Sequence, residues 1–151
     1  MRPAAFAMRW GYLLPDGRRI INARSETAAE RLLFRDGILR RRCAIPATNY
    51  YEWERIGGRR IKYAIRPVEG QLFYMAGIYR MEADGPVFSI LTRQSADSIA
   101  FIHDRMPVIL PRDLVEDWTD PAREADEILD RAVLEVRHEK QIAAEQVSMD
   151  L

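Results

Sequence analysis

The run Tyr50-Tyr51-Glu52-Trp53-Glu54-Arg55, followed by Gly57-Gly58 and then by Arg60-Ile61-Lys62-Tyr63-Ala64-Ile65-Arg66-Pro67, decides the fold class. Its second half alternates apolar and polar residues with period two, which predicts a strand with Ile61, Tyr63 and Ile65 on one buried face, ended by Pro67. Gly57-Gly58 is a turn signal, so Tyr50 to Arg55 forms the preceding strand of a hairpin. Leu72 to Tyr79 and Val87 to Leu91 are further apolar runs rich in aromatic and β-branched residues, separated by the turn Asp84-Gly85-Pro86. The four strands are expected as one antiparallel meander.

Helical signals are fewer. Thr27-Ala28-Ala29-Glu30 fits a capping box, opening a helix that carries Leu32, Leu33 and Phe34 and stops at Gly37. Short helices are expected over Ser95 to Phe101, from Pro111 through Trp118, and over Arg123 to Ala132, with Val133 to Val136 and Gln146-Val147-Ser148 as closing strands. At 151 residues the chain suits one domain.

Composition narrows the classes. Hydrophobic residues at 48% and charged residues at 30% describe a globular chain, not a disordered one. No apolar run reaches the roughly 20 residues of a membrane helix, so no membrane partner is expected. Met1 to Trp10 lacks a secretory h-region, which sets the cytoplasm as the expected compartment. The single Cys43 agrees with that, and together with two histidines it offers no zinc ligand set; neither metal nor cofactor is expected. The zero net charge conceals an asymmetry. Residues 1 to 111 hold 18 basic and 11 acidic side chains, a net +7, whereas residues 112 to 151 net −7. Of 23 basic residues 21 are arginine, clustered at Arg18-Arg19, Arg40-Arg41-Arg42 and Arg59-Arg60. Arginine pairs bidentately with phosphate, which fits a nucleic-acid partner, and equally fits a solvated arginine-rich face.

Candidates for proton transfer near neutral pH are scarce. His138, among Arg137, Glu139 and Lys140, reads as a surface residue. His103, in Ile102-His103-Asp104-Arg105-Met106-Pro107, reads either as a loop brace or as an acid/base group. Glu52 shares a strand face with Tyr50, and either meets solvent or sits in a partly apolar site where desolvation would raise its pKa. Asn22-Ala23-Arg24-Ser25-Glu26-Thr27 concentrates polar groups between a strand and a helix, where Arg24 and helix-start amides could hold an anion, or where the polar residues are simply caps. Trp10, Tyr12, Tyr50 and Trp53, near Arg9, Gly11 and Arg55, suit base stacking or a core. Cys43 reads as a small buried residue.

Four blocks stand in order: Met8-Arg9-Trp10-Gly11-Tyr12-Leu13 with Pro15; Asn22 to Thr27; Arg41-Arg42-Cys43-Ala44-Ile45-Pro46-Ala47 running to Tyr51-Glu52-Trp53; and Ile90-Leu91-Thr92 with His103 to Leu110. In that order and spacing they resemble the SOS-response-associated peptidase (SRAP) family, whose members shield abasic sites in single-stranded DNA. The resemblance implies an α+β fold around a mostly antiparallel β-barrel-like sheet with short flanking helices and a basic groove for single-stranded DNA. It implies that Asn22 orients the reacting sugar, Glu52 shuttles protons, and His103 assists sugar opening and crosslink reversal. It also implies DNA contacts from Arg9, Trp10, Gly11, Leu13, Arg24, Thr92 and Arg105, and a place in DNA-damage responses at the nucleoid.

In the family a cysteine directly after the initiator methionine forms a thiazolidine with the abasic aldehyde. This sequence begins Met1-Arg2-Pro3. The expectation is therefore a single domain over residues 1–151 that lacks the family's first strands, with peptidase or lyase chemistry left open and crosslinking not expected. The alternatives are a non-catalytic single-stranded DNA binding or interaction module, and self-association through exposed sheet edges.

Overall fold

The computed structural model describes residues 4–142. In chain order the strands are β1 (Arg9–Trp10), β2 (Tyr12–Leu13), β3 (Arg19–Ile20), β4 (Asn22–Arg24), β5 (Arg42–Ala47), β6 (Tyr50–Ile56), β7 (Arg59–Pro67), β8 (Phe73–Glu82), β9 (Gly85–Gln94), β10 (Arg105–Pro107), β11 (Ile109–Leu110) and β12 (Val136–Lys140). The α-helices are α1 (Leu32–Arg40), α2 (Val115–Thr119) and α3 (Ala125–Leu129). The expected closing strand at Gln146-Val147-Ser148 lies outside the described residues.

The α+β class holds, with strands dominant and the sheets open instead of closed into a barrel. A seven-stranded sheet is centred on the long hairpin β8–β9. The short strands β1, β4 and β10 pair with β9, and β5 and β11 pair with β8. The β6–β7 hairpin joins β12 in a separate three-stranded sheet, in the order β12-β7-β6. The single meander is thus corrected to two hairpins in two sheets. Within each hairpin the local signals hold. Gly57 (φ 54°) and Gly58 (φ 78°) are both left-handed, as a two-residue turn matching strand twist requires.

Alternation along β8 and β9 builds two cores. Ala76 and Ile78 of β8, with Val87 and Leu91 of β9, point to one face, where they pack with Ile38, Leu114, Trp118 and Ile128 from the helical side. Phe73, Met75 and Ile90 point to the other, where they meet Tyr63 and Ile65 of β7 and the loop residues Ile99 and Ile102. The order is helices, large sheet, small sheet.

Three helix expectations change. Thr27 to Glu30 form turns, closed by the Glu30 amide on the Thr27 carbonyl at 3.1 Å, and α1 starts later with Arg31 as its cap. Gly37 lies inside α1 instead of ending it, because a Cβ there would come 2.9 Å from the Ile78 Cβ; close approach to β8 selects glycine. The Ser95 to Phe101 segment makes only a 3₁₀ turn over Asp97–Ile99, and the last helix shortens to α3. The closing strand near Val133 is reduced to one bridge with Ile109, and β12 follows it. There His138 packs edge-on against Tyr63 and Phe101, at centroid distances of 5.7 and 5.1 Å.

The arginine cluster Arg40-Arg41-Arg42 is structural in large part. Arg42 is buried, donates to the Arg123 carbonyl at 2.9 Å and to the Asp120 carbonyl, and lies 5.1 Å over the Trp118 ring. A guanidinium is thereby placed on the carbonyl that caps α2, where the helix dipole favours a cation, and on one from the loop that follows. Arg41 and Arg40 pair with Asp36.

Candidate nucleic-acid interface and reaction site

β1 and β4 occupy successive stretches of one edge of β9, both parallel to it. Arg9 and Trp10 pair with Val87 and Phe88, and Asn22, Ala23 and Arg24 pair with Ile90, Leu91 and Thr92. Between them the chain leaves the sheet at Gly11 and returns through the β2–β3 ribbon. Gly11 makes that exit. Its φ is +101°, its amide donates to the Phe88 carbonyl at 2.7 Å, and a Cβ would meet the Arg19 Cβ at 2.9 Å. It is buried, so this backbone bend explains the glycine without a ligand.

Paired residues on neighbouring strands share a face. Ala23 lies with Leu91 in the core on the helical side, so Asn22 and Arg24 lie on the opposite face with Ile90 and Thr92. Trp10 lies there too, stacked parallel on Phe88 at 6.3 Å, 50% exposed, with its indole N–H held by the Ile21 carbonyl at 3.0 Å. Asn22 and Arg24 are exposed, and Arg24 has no ion pair among the described residues. Arg9 reaches Asp84 at 3.7 Å. Leu13 is exposed, its amide and carbonyl taken by Glu82 and Arg80 at 2.9 and 2.7 Å.

Thr92 ties this edge to β10. Its carbonyl accepts from the Ser25 amide at 2.9 Å and from Arg105 Nη2 at 2.8 Å, and its hydroxyl lies 3.3 Å from the same nitrogen. Arg105 also grips Glu26 through two bonds of 2.8 Å. That two-point contact holds the Glu26 carboxyl well below its ordinary range, at about 2. Next to it, His103 Nδ1 accepts from the Arg105 amide at 3.1 Å. The Arg105 carbonyl oxygen also lies 3.3 Å from Nδ1, so whether this nitrogen accepts or donates follows the tautomer. The ring is 47% exposed, with an Asp104 carboxylate oxygen 3.3 Å from Nδ1.

Glu52 belongs to the small sheet. Its strand neighbour is Tyr63, and it shares the inner face of β6 with Tyr50, which packs into the core between the sheets. Asn22 shares its own face with Ile90 of that core, so both residues face the interlayer side of the molecule. Glu52 is half-buried and forms no hydrogen bond with Asn22 or His103. Burial pushes the Tyr50 phenol well above its ordinary value and the Glu52 charge adds to the shift, placing the carboxylate close to a hydroxyl that has no partner.

The outer face of the hairpin carries Tyr51 and Trp53, with Lys62 Nζ 4.0 Å over the Tyr51 ring and Arg60 5.1 Å over Trp53. Cys43 is shut in β5 and burial pushes its thiol up to about 12, so it stays protonated and unreactive near neutral pH. Among the described residues no group of three or more His, Cys, Asp or Glu side chains could hold a metal ion, and no helix is long and apolar enough to cross a membrane.

Sequence reasoning missed Glu26 and Phe88. Glu26 stood inside the polar block, two residues after Arg24, but its partner is 79 positions away. Phe88 looked like any strand aromatic until β1 set Trp10 on it.

The model of the SOS response associated peptidase (SRAP) family matches residues 3–151. Abasic site processing protein YoaM of Bacillus subtilis is 34% identical over 139 residues, 84% of this chain and 61% of its own length. Abasic site processing protein YobE of the same organism is 36% identical, over 76% of this chain and 58% of its length. A crystal structure of a protein from Bacteroides thetaiotaomicron superposes with a TM-score of 0.72 at 30% identity, over 80% of this chain and 58% of that one. The chain therefore spans about three-fifths of the length of these relatives.

Proposed function

The chain belongs to the SRAP family, and from that premise we propose that it binds single-stranded DNA at abasic sites and processes them. The observation that carries the proposal is the shared face of Trp10, Asn22, Arg24 and Thr92 along β9: a stacking ring, a sugar-reach amide and a free guanidinium on one exposed edge. In this reading Trp10 and Leu13 meet bases, Arg9, Arg24 and Arg105 meet the phosphate backbone, and Gly11 sets the bend that presents them.

Opening the abasic hemiacetal moves one proton from the C1′ hydroxyl to the ring oxygen. One base and one acid relay it with no net proton change. Glu52 takes the hydroxyl proton, the C1′–O4′ bond breaks, and the protonated His103 ring supplies a proton to O4′, to be reprotonated with the proton that Glu52 has taken. Asn22 holds the sugar hydroxyl. Cys43 takes no part, since its thiol is buried and protonated. Such activity belongs to DNA-damage responses in the cytoplasm, at the nucleoid.

The test uses a single-stranded oligonucleotide with one abasic site, read by denaturing electrophoresis for strand cleavage or a retarded adduct. Glu52→Gln is expected to lower the product rate about 100-fold or more, the factor typical of a lost general base. Equal binding of intact and abasic strands, with no effect of Glu52→Gln, would instead establish a non-catalytic binding module. The outer edges of β6 and β12 carry no strand partner among the described residues, which supports self-association; sedimentation against protein concentration reads it.

A further inference from the structure

A carboxylate at a DNA-binding edge opposes binding by simple Coulomb repulsion, and Glu26 stands at that edge. It follows β4 by two residues, and half of its side chain is exposed. Its partner Arg105 sits on β10, on the far side of β9, so their contact spans three strands above Thr92. Glu26 takes Nη1 through one oxygen and Nη2 through the other, both at 2.8 Å, and Thr92 takes Nη2 as well. Two parallel bonds fix the plane of a guanidinium, which a single ion pair does not. Nη2 is then fully committed and Nε is buried without a partner. The second Nη1 hydrogen is the one left over. With 18% of the Arg105 side chain exposed, there is room for one further contact and little else.

Resting on the DNA-binding reading above, we propose that Glu26 is a positioning residue: it orients the Arg105 guanidinium so that its remaining Nη1–H meets a DNA phosphate, and thereby promotes binding despite its charge. The same clamp holds the Arg105 guanidinium at Thr92, whose strand neighbour on β4 is Arg24. Without Glu26 the guanidinium regains rotamer freedom, which binding must then remove.

The sign of the effect makes the test. Binding of a fluorescent single-stranded oligonucleotide carrying a chemically reduced abasic site is measured by anisotropy, well below each variant's unfolding temperature. Glu26→Gln removes a negative charge, so Coulomb repulsion alone predicts tighter binding. Positioning predicts affinity weakened roughly fivefold, the scale of re-immobilising one rotamer-rich side chain on binding. In an Arg105→Gln background the same change should no longer weaken binding, and should tighten it up to about twofold through the residual charge effect. Glu26→Asp keeps the charge but is too short for two-point contact, so it should weaken binding as Glu26→Gln does. Tighter or unchanged binding by Glu26→Gln overturns the proposal, as does parental affinity in Glu26→Asp. If the parent protein fails to bind the oligonucleotide, the DNA-binding reading falls instead. Side-chain NMR then tests the clamp alone: Arg105 Cζ–Nη rotation should be slow in the parent and fast in Glu26→Gln, and equal rotation overturns the positioning role.

Discussion

Trp118 and Trp10 lie on opposite sides of the same hairpin, β8–β9. Trp118 is fully buried behind it, with its indole N–H on the Cys43 carbonyl at 2.9 Å and the Arg42 guanidinium over its ring. Trp10 lies in front, stacked on Phe88 and half exposed. Both rings have an aromatic or cationic neighbour and both indole nitrogens are satisfied. What separates them is cover: α1, α2 and α3 close the rear face, whereas the small sheet leaves the β1 and β4 edge of the front face open. Residue type alone therefore does not distinguish a core from an interface. The number of layers above it does.

Substitution should split the two rings cleanly. Trp118→Ala is expected to cost about 3–5 kcal/mol in urea unfolding, from lost burial and the cavity left behind. Its effect on single-stranded DNA affinity, measured on the folded fraction, should be negligible. A loss of affinity without a loss of stability would break the division between faces.

Trp10→Ala should do the reverse. Exposed and held by one hydrogen bond, it should change stability by no more than about 1 kcal/mol. Loss of a stacking platform should weaken single-stranded DNA binding by about 1–3 kcal/mol, read by anisotropy at fixed salt. If stability falls instead and affinity does not, Trp10 is a core residue that happens to be half covered.

The same contrast explains what could be read from the residues in order. The β6–β7 and β8–β9 hairpins were legible because a strand, a turn and its return are local, and period-two alternation states which side is buried. Their assignment to one meander failed because β12, which completes the small sheet, pairs with β7 about 70 positions away, and no local signal announces that. Gly37 and Gly11 mark the same limit from the other side. Each looked like punctuation or ligand approach, and each is set by a neighbour distant in sequence or by a backbone bend: Ile78 behind Gly37, and the exit from β9 at Gly11. The arginine cluster misled for a further reason. Arg42 is spent on backbone carbonyls at the α2 cap and in the loop after it, a use of charge that composition cannot tell from phosphate binding. Asn22, Arg24, Thr92 and Arg105 were named from motif blocks, and strand pairing brings them to one face of the sheet; Glu26, the residue that links β4 to β10, emerges only from the pairing.

The smallest expected effect separates the two faces by pH. The front edge depends on Glu26, whose pKa is lowered from 4.5 to about 2 chiefly by its hydrogen bonds to Arg105. A group with a depressed folded-state pKa adds stability that is fully present above its unfolded value and is lost as pH falls through the folded one. The Glu26–Arg105 contribution should therefore be intact above about pH 4.5 and fade between there and about pH 2. Because half of the Glu26 side chain meets solvent, the size belongs to the roughly 0.2–1 kcal/mol range of an exposed pair and should shrink with added salt. The measurement is the difference between parent and Glu26→Gln unfolding free energies across that window, in which all other carboxylates cancel. A difference that narrows as pH falls supports a front edge held by charge. A difference flat with pH would mean that the Glu26 charge does not hold this edge.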